Sequence, residues 1–89
     1  MKPSSVSHEE VRTLIARLLS EIGHVAPDLV TDAATIDGDL KMESVAFIEV
    51  QVAIEDEYDI ELDPIHIVEL NRFPAIVDYV YDAVVRRSA

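Results

Sequence analysis

The chain has 89 residues, with 18 acids against 7 bases, a net charge of −11 and no cysteine. That length suits one small domain, whose core is only marginally self-sufficient, so every apolar face has to be used. The charge excludes the basic stripe that nucleic acid requires, and the missing cysteine excludes disulfides, thiolate metal sites and thiol nucleophiles. No apolar run reaches the length of a membrane span, and M-K-P-S-S-V-S-H-E-E lacks the apolar stretch of a secretory signal, so a cytoplasmic location is expected. The acid surplus fits basic protein partners met by steered encounter, and equally fits a charge that keeps a small protein dissolved.

Residues 1–6 read as a flexible N-terminus, and residues 7–87 as one domain. Ser7 and Glu10 form a capping box. Val11, Leu14, Ile15, Leu18, Leu19 and Ile22 then recur at helical spacing along one face, and Gly23 is placed for a left-handed cap. About twenty irregular residues follow, from His24 to Glu43, too long for a mere connection in a compact domain. Val25, Leu29, Ile36 and Leu40 are its candidate anchors to the core.

A second helix is predicted from Ser44 to Tyr58. Phe47, Val50, Ile54 and Tyr58 share one face at 100° per residue. Val45, Ile48 and Val52 form a second apolar line roughly opposite, flanked by Glu49, Glu55 and Asp56. Carboxylates beside that line disfavour deep burial, so it reads as a strip facing a partner across an acidic rim. Asp63 and Pro64 are the cap and first-turn pair of a short helix running to about Leu70, which Asn71 breaks. A last helix starts at Pro74, with Phe73, Ile76, Val77, Val80 and Val84 on its apolar face and Arg86 and Arg87 suited to its C-terminal dipole. The valines and isoleucines follow helical spacing, so no strand is expected and the fold class is all-α.

His8, His24 and His66 are isolated from one another. His8 reads as a solvated first-turn residue and His66 as partly buried. A triad with Ser44 would need long-range approach, and no strand-based elbow frames that serine, so no enzyme is expected. D-G-D-L-K-M-E lacks the register of a calcium loop, so no metal site is expected. From Asp37 to Asp63 there are ten acids and one base, Lys41.

Ser44 has two readings. It is a preferred N-cap residue. A hydroxyl at a helix N-terminus also suits a phosphodiester, because the exposed amides and the positive dipole end stabilise the anion. As an attachment point it needs no activating base of its own, since a transferring enzyme can supply one.

The stretch E-S-V-A-F-I-E-V-Q-V-A-I-E-D-E-Y-D-I-E-L resembles the signature of acyl carrier proteins, phosphopantetheine-dependent carriers with an Asp-Ser-Leu start and an acidic helix. The resemblance extends through D-G-D-L before it and F-P-A-I-V-D-Y-V after it. It implies a four-helix bundle with a long first loop and 4′-phosphopantetheine on Ser44, installed from coenzyme A by a phosphopantetheinyl transferase. The arm's thiol would hold an acyl, aminoacyl or peptidyl group as a thioester, loaded by a ligase or transferase. It would present that group to condensing or tailoring enzymes in lipid or secondary-metabolite biosynthesis. Glu43, Val45, Ile48, Glu49, Val52, Glu55 and Asp56 would recognise the basic patches of those enzymes. Ile54, Tyr58, Leu62, Ile76 and Tyr79 would line a cargo cavity, and the carrier is expected to be a monomer. Glu43 stands where the family nearly always has Asp, and Lys41 replaces the usual glycine two places earlier, which points to a specialised free-standing member. The alternative is a helical interaction module with the same fold and no arm.

Overall fold

The computed structural model describes residues 6–36, 38 and 40–88. It contains four α-helices: α1 (His8–Gly23), α2 (Ser44–Tyr58), α3 (Pro64–Leu70) and α4 (Phe73–Ser88). A 3₁₀ turn, Pro27–Leu29, lies in the first loop. This is the all-α bundle that the apolar spacings predict. The expected flexible terminus falls outside the described residues except for Val6, which is half-buried and packs against the core.

α1 starts on the expected capping box. Ser7 Oγ accepts from the Glu10 amide, and Glu10 Oε1 accepts from the Ser7 amide, both at 3.1 Å. Val11, Ile15, Leu18 and Leu19 are buried against α2 and α4. The helix does not end on a left-handed Gly23. His24 takes that conformation instead, with φ 58°, and Gly23 is helical for a packing reason. A Cβ there would stand 2.7 Å from Met42 Cε, so the missing side chain makes room for the residue two places before Ser44.

The first loop is pinned by Val25, Ile36 and Leu40 as expected, but Leu29 is 52% exposed. Val30 and Ala34 are buried in its stead. Among the described residues the β pairing is one isolated antiparallel bridge, Thr35 to Arg72. The Ile36 amide donates to the Asn71 carbonyl at 3.0 Å, and the Phe73 amide to the Ala34 carbonyl at 3.1 Å. These bonds stitch the loop to the α3–α4 junction.

Asp63 caps α3 by accepting from the Ile65 and His66 amides, and Asn71 ends it in the left-handed region at φ 52°. Phe73, Ile76, Val77, Val80 and Val84 of α4 are all buried. Arg86 pairs with Asp82 one turn earlier at 2.9 Å. Arg87 reaches across to the end of α2, where it donates to the Asp59 carbonyl and pairs with its carboxylate at 2.9 Å.

Two histidine expectations change. His8 is not simply solvated: its Nε2 lies 2.7 Å from Asp78 Oδ1, and its ring meets Tyr81 edge-on, joining α1 to α4. His66 is exposed, with its ring edge-on to Tyr79 at 4.8 Å.

Candidate functional site

The chain turns into α2 through a constrained loop. The Leu40 amide donates to the Thr35 carbonyl and the Met42 amide to the Ile36 carbonyl. Lys41, between them, is left-handed at φ 54°, a conformation glycine adopts without strain. The left-handed backbone fits the glycine that the resemblance leads one to expect here, and it marks Lys41 as a strained substitute.

Glu43 is the N-cap residue of α2, extended at φ −75° and ψ 153°, and its side chain makes no capping bond. Ser44 is the first helical residue, so the reading of Ser44 as the N-cap is corrected: that position belongs to Glu43. The first intrahelical bond of this end runs from the Phe47 amide to the Glu43 carbonyl at 3.0 Å. The amides before Phe47 have no intrahelical acceptor, and the first turn of α2 carries no acid. The positive end of the helix is therefore open to an anion.

Phe47, Val50 and Ile54 point into the core, at 4%, 0% and 1% exposure. Tyr58 is half-buried. Burial, then the Glu57 and Glu10 carboxylates, push its hydroxyl above the ordinary tyrosine range, against a smaller lowering by Arg17. The opposite face is open: Val45 is 66% exposed, Ile48 49% and Val52 48%. Glu43, Glu49 and Asp56 are exposed beside it. Glu55 departs from this set, because its Oε2 accepts from the Leu62 amide at 2.8 Å and so ties α2 to the α2–α3 loop. On α3, Ile65 and Val68 are also exposed while Ile67 is buried. The sequence reading missed the outward pair, although a seven-residue helix with Ile67 inward must turn Ile65 and Val68 away.

The five residues expected around a cargo do not share one groove. A groove of about 730 Å³ includes Tyr58 with Glu9, Glu10, Glu57 and Asp59. It lies at the C-terminal end of α2, about 20 Å along the helix from Ser44, so it is remote from the start of that helix. Tyr79 borders a second, smaller groove, and Ile54, Leu62 and Ile76 border neither. Those three are packed in the core at 1%, 6% and 1% exposure. Gln51, which the sequence reading passed over, is buried at 6%. Its signal was a polar residue beside the Phe47–Ile54 stripe.

The family model for the phosphopantetheine attachment site matches residues 9–80, well over half of the chain. The chain belongs to this family. Its prosthetic group is 4′-phosphopantetheine and its role is that of a carrier protein. The residues present fit the group, with a hydroxyl-bearing residue at the start of a helix whose N-cap side chain makes no capping bond and whose first turn is free of acids. The chain is also similar to an acyl carrier protein of Acidothermus cellulolyticus, 26% identical over 81 residues that cover 91% of this chain and 96% of that protein. Among the described residues, no helix is long and apolar enough to cross a membrane.

Proposed function

We propose that Ser44 is the attachment residue, and that the protein is a free-standing carrier of acyl, aminoacyl or peptidyl groups in lipid or secondary-metabolite biosynthesis. The observation that carries this reading is the start of α2, where residue 44 opens the helix and the Glu43 side chain makes no capping bond. Ser44 supplies the oxygen that attacks the pyrophosphate of coenzyme A, a phosphopantetheinyl transferase supplies the base that takes its proton, and the P–O bond to adenosine 3′,5′-bisphosphate breaks as that group leaves. The helix end then favours the attached anion. When bound, the group supplies a flexible thiol, which the chain itself lacks.

The protein carries its group to other catalysts and is not itself one. Val45, Ile48 and Val52 form the contact strip for loading ligases or transferases and for condensing or tailoring enzymes, and Glu43, Glu49 and Asp56 meet their basic patches. Surface charge of this kind speeds encounter more than it tightens the complex. Glu55 serves the fold first, through Leu62. Ile54, Leu62 and Ile76 are the core residues that part to admit a cargo, with Tyr58 and Tyr79 at their margins. The carrier works as a monomer in the cytoplasm.

Incubation of the full chain with coenzyme A and a broad-range transferase tests the attachment. The expected outcome is one added phosphopantetheine by intact mass, absent in Ser44→Ala. An unmodified mass with several transferases, or an equal addition to Ser44→Ala, contradicts it.

A further inference from the structure

Gln51 is the one polar residue buried in the core among those described. Its Nε2 donates to the Leu62 carbonyl at 3.4 Å. Its Oε1 is buried with no hydrogen-bond partner. Reversing the amide would set one oxygen against another, so the Leu62 carbonyl decides which way the group faces. One turn further on, Glu55 takes the amide of the same Leu62. Two residues of α2 thus grip the Leu62 backbone, and Gln51 is held with its oxygen turned away from that grip.

A buried carbonyl without a donor opposes folding, and such groups are uncommon in native cores. Packing alone would favour leucine or methionine here. The position suggests what the oxygen is for. Gln51 follows Ser44 by seven residues, which places it about 20° from Ser44 around the helix axis and about 10 Å along it. Around the helix axis Gln51 lies between Ser44 and the Phe47–Ile54 face, so a group that turns from Ser44 toward the interior crosses the row that Gln51 occupies.

We propose that Gln51 Oε1 is a specificity-determining acceptor for a hydrogen-bond donor on the cargo, a hydroxyl or amino group close to the thiol ester, as in a 3-hydroxyacyl group. A plain saturated chain leaves that oxygen unpaired, whereas a 3-hydroxyacyl chain pairs it and buries its own hydroxyl without loss. This inference rests on the attachment at Ser44. It narrows the cargo class to groups polar near the attachment end.

The test loads the full chain with butyryl- or 3-hydroxybutyryl-phosphopantetheine from the corresponding coenzyme A thioesters, each product verified by intact mass. Melting temperature and the Gln51 side-chain amide signals in NMR are read for the unacylated arm and for both cargoes. In the natural chain the 3-hydroxybutyryl form should melt higher than the butyryl form by about 4 °C or more, the effect of one added hydrogen bond in a domain of this size. Its Gln51 signals should also move. In Gln51→Met, which keeps the side-chain length, the difference should vanish or reverse, and Gln51→Leu should behave alike.

Equal melting in the natural chain, or a difference that persists in both variants, overturns the inference. So does an unacylated arm that already moves the Gln51 signals as far as the 3-hydroxybutyryl form does, since the arm's own amides would then be the donor. A chain whose mass shows no arm overturns the attachment reading and this inference together, and is told apart from the other failures by that mass.

Discussion

Glu55 is the residue on which sequence pattern and structure assign different work, and removing its carboxylate separates them. In Glu55→Ala the Leu62 amide loses its acceptor, now 2.8 Å away, in a residue that is 6% exposed. An amide left unpaired in such a place costs about 1–3 kcal/mol. The bond is only partly buried, and alanine returns a few tenths in helix propensity, so a net loss of about 1–2 kcal/mol is expected. For a domain of this length, each kcal/mol moves Tm by about 4–8 °C, and Glu55→Ala should melt about 4–16 °C lower. The urea midpoint should fall with an unchanged slope, because the surface exposed on unfolding is the same. Glu55→Gln keeps an acceptor oxygen and should recover most of the loss. An unchanged Tm in Glu55→Ala, with only partner association slowed, would refute this reasoning and return the carboxylate to the recognition rim.

Other outcomes follow from the same geometry. Reversing Glu49 and Asp56 to lysine should leave Tm within about 1 °C, because both are exposed; it should slow association with the transferase and flatten its salt dependence, measured by stopped-flow at several ionic strengths. Lys41→Gly should hold or raise stability by up to about 1 kcal/mol, since relief of the left-handed strain is partly offset by glycine's freedom in the unfolded chain, as denaturant titration would show. Tyr58 has a hydroxyl raised above its ordinary 10.0 in the folded state. Its contribution is therefore fully present below pH 10 and lost as pH rises through the higher folded value. Tyr58→Phe should remove that part of the alkaline loss in pH-dependent melting.

Much of the bundle was legible because its helices obey simple periodicities. The Ser7–Glu10 box, the Val11–Leu19 face, the Phe47–Ile54 stripe and the Phe73–Val84 face are local patterns, and each forms as its spacing predicts. The exposed line of Val45, Ile48 and Val52 was legible for the same reason, since carboxylates beside an apolar row keep it from burial. What was not legible depends on contacts between distant residues. Gly23 looks like a cap, yet its role is to admit Met42 nineteen positions later. Glu55 looks like a rim acid until Leu62 folds back onto it. His66 is exposed, and its ring contact is with Tyr79 of another helix, which spacing along α3 does not reveal. The grouping of Ile54, Tyr58, Leu62, Ile76 and Tyr79 needed packing that periodicity does not convey, and the folded chain distributes them between the core and two separate grooves.

The most direct measurement is the intact mass of the protein purified from the cell that makes it, followed by peptide mapping. A chain heavier by phosphopantetheine or by its loaded form, with the increment on the peptide that contains Ser44, is the predicted result. A chain that functions in that cell with an unmodified Ser44 would contradict the account.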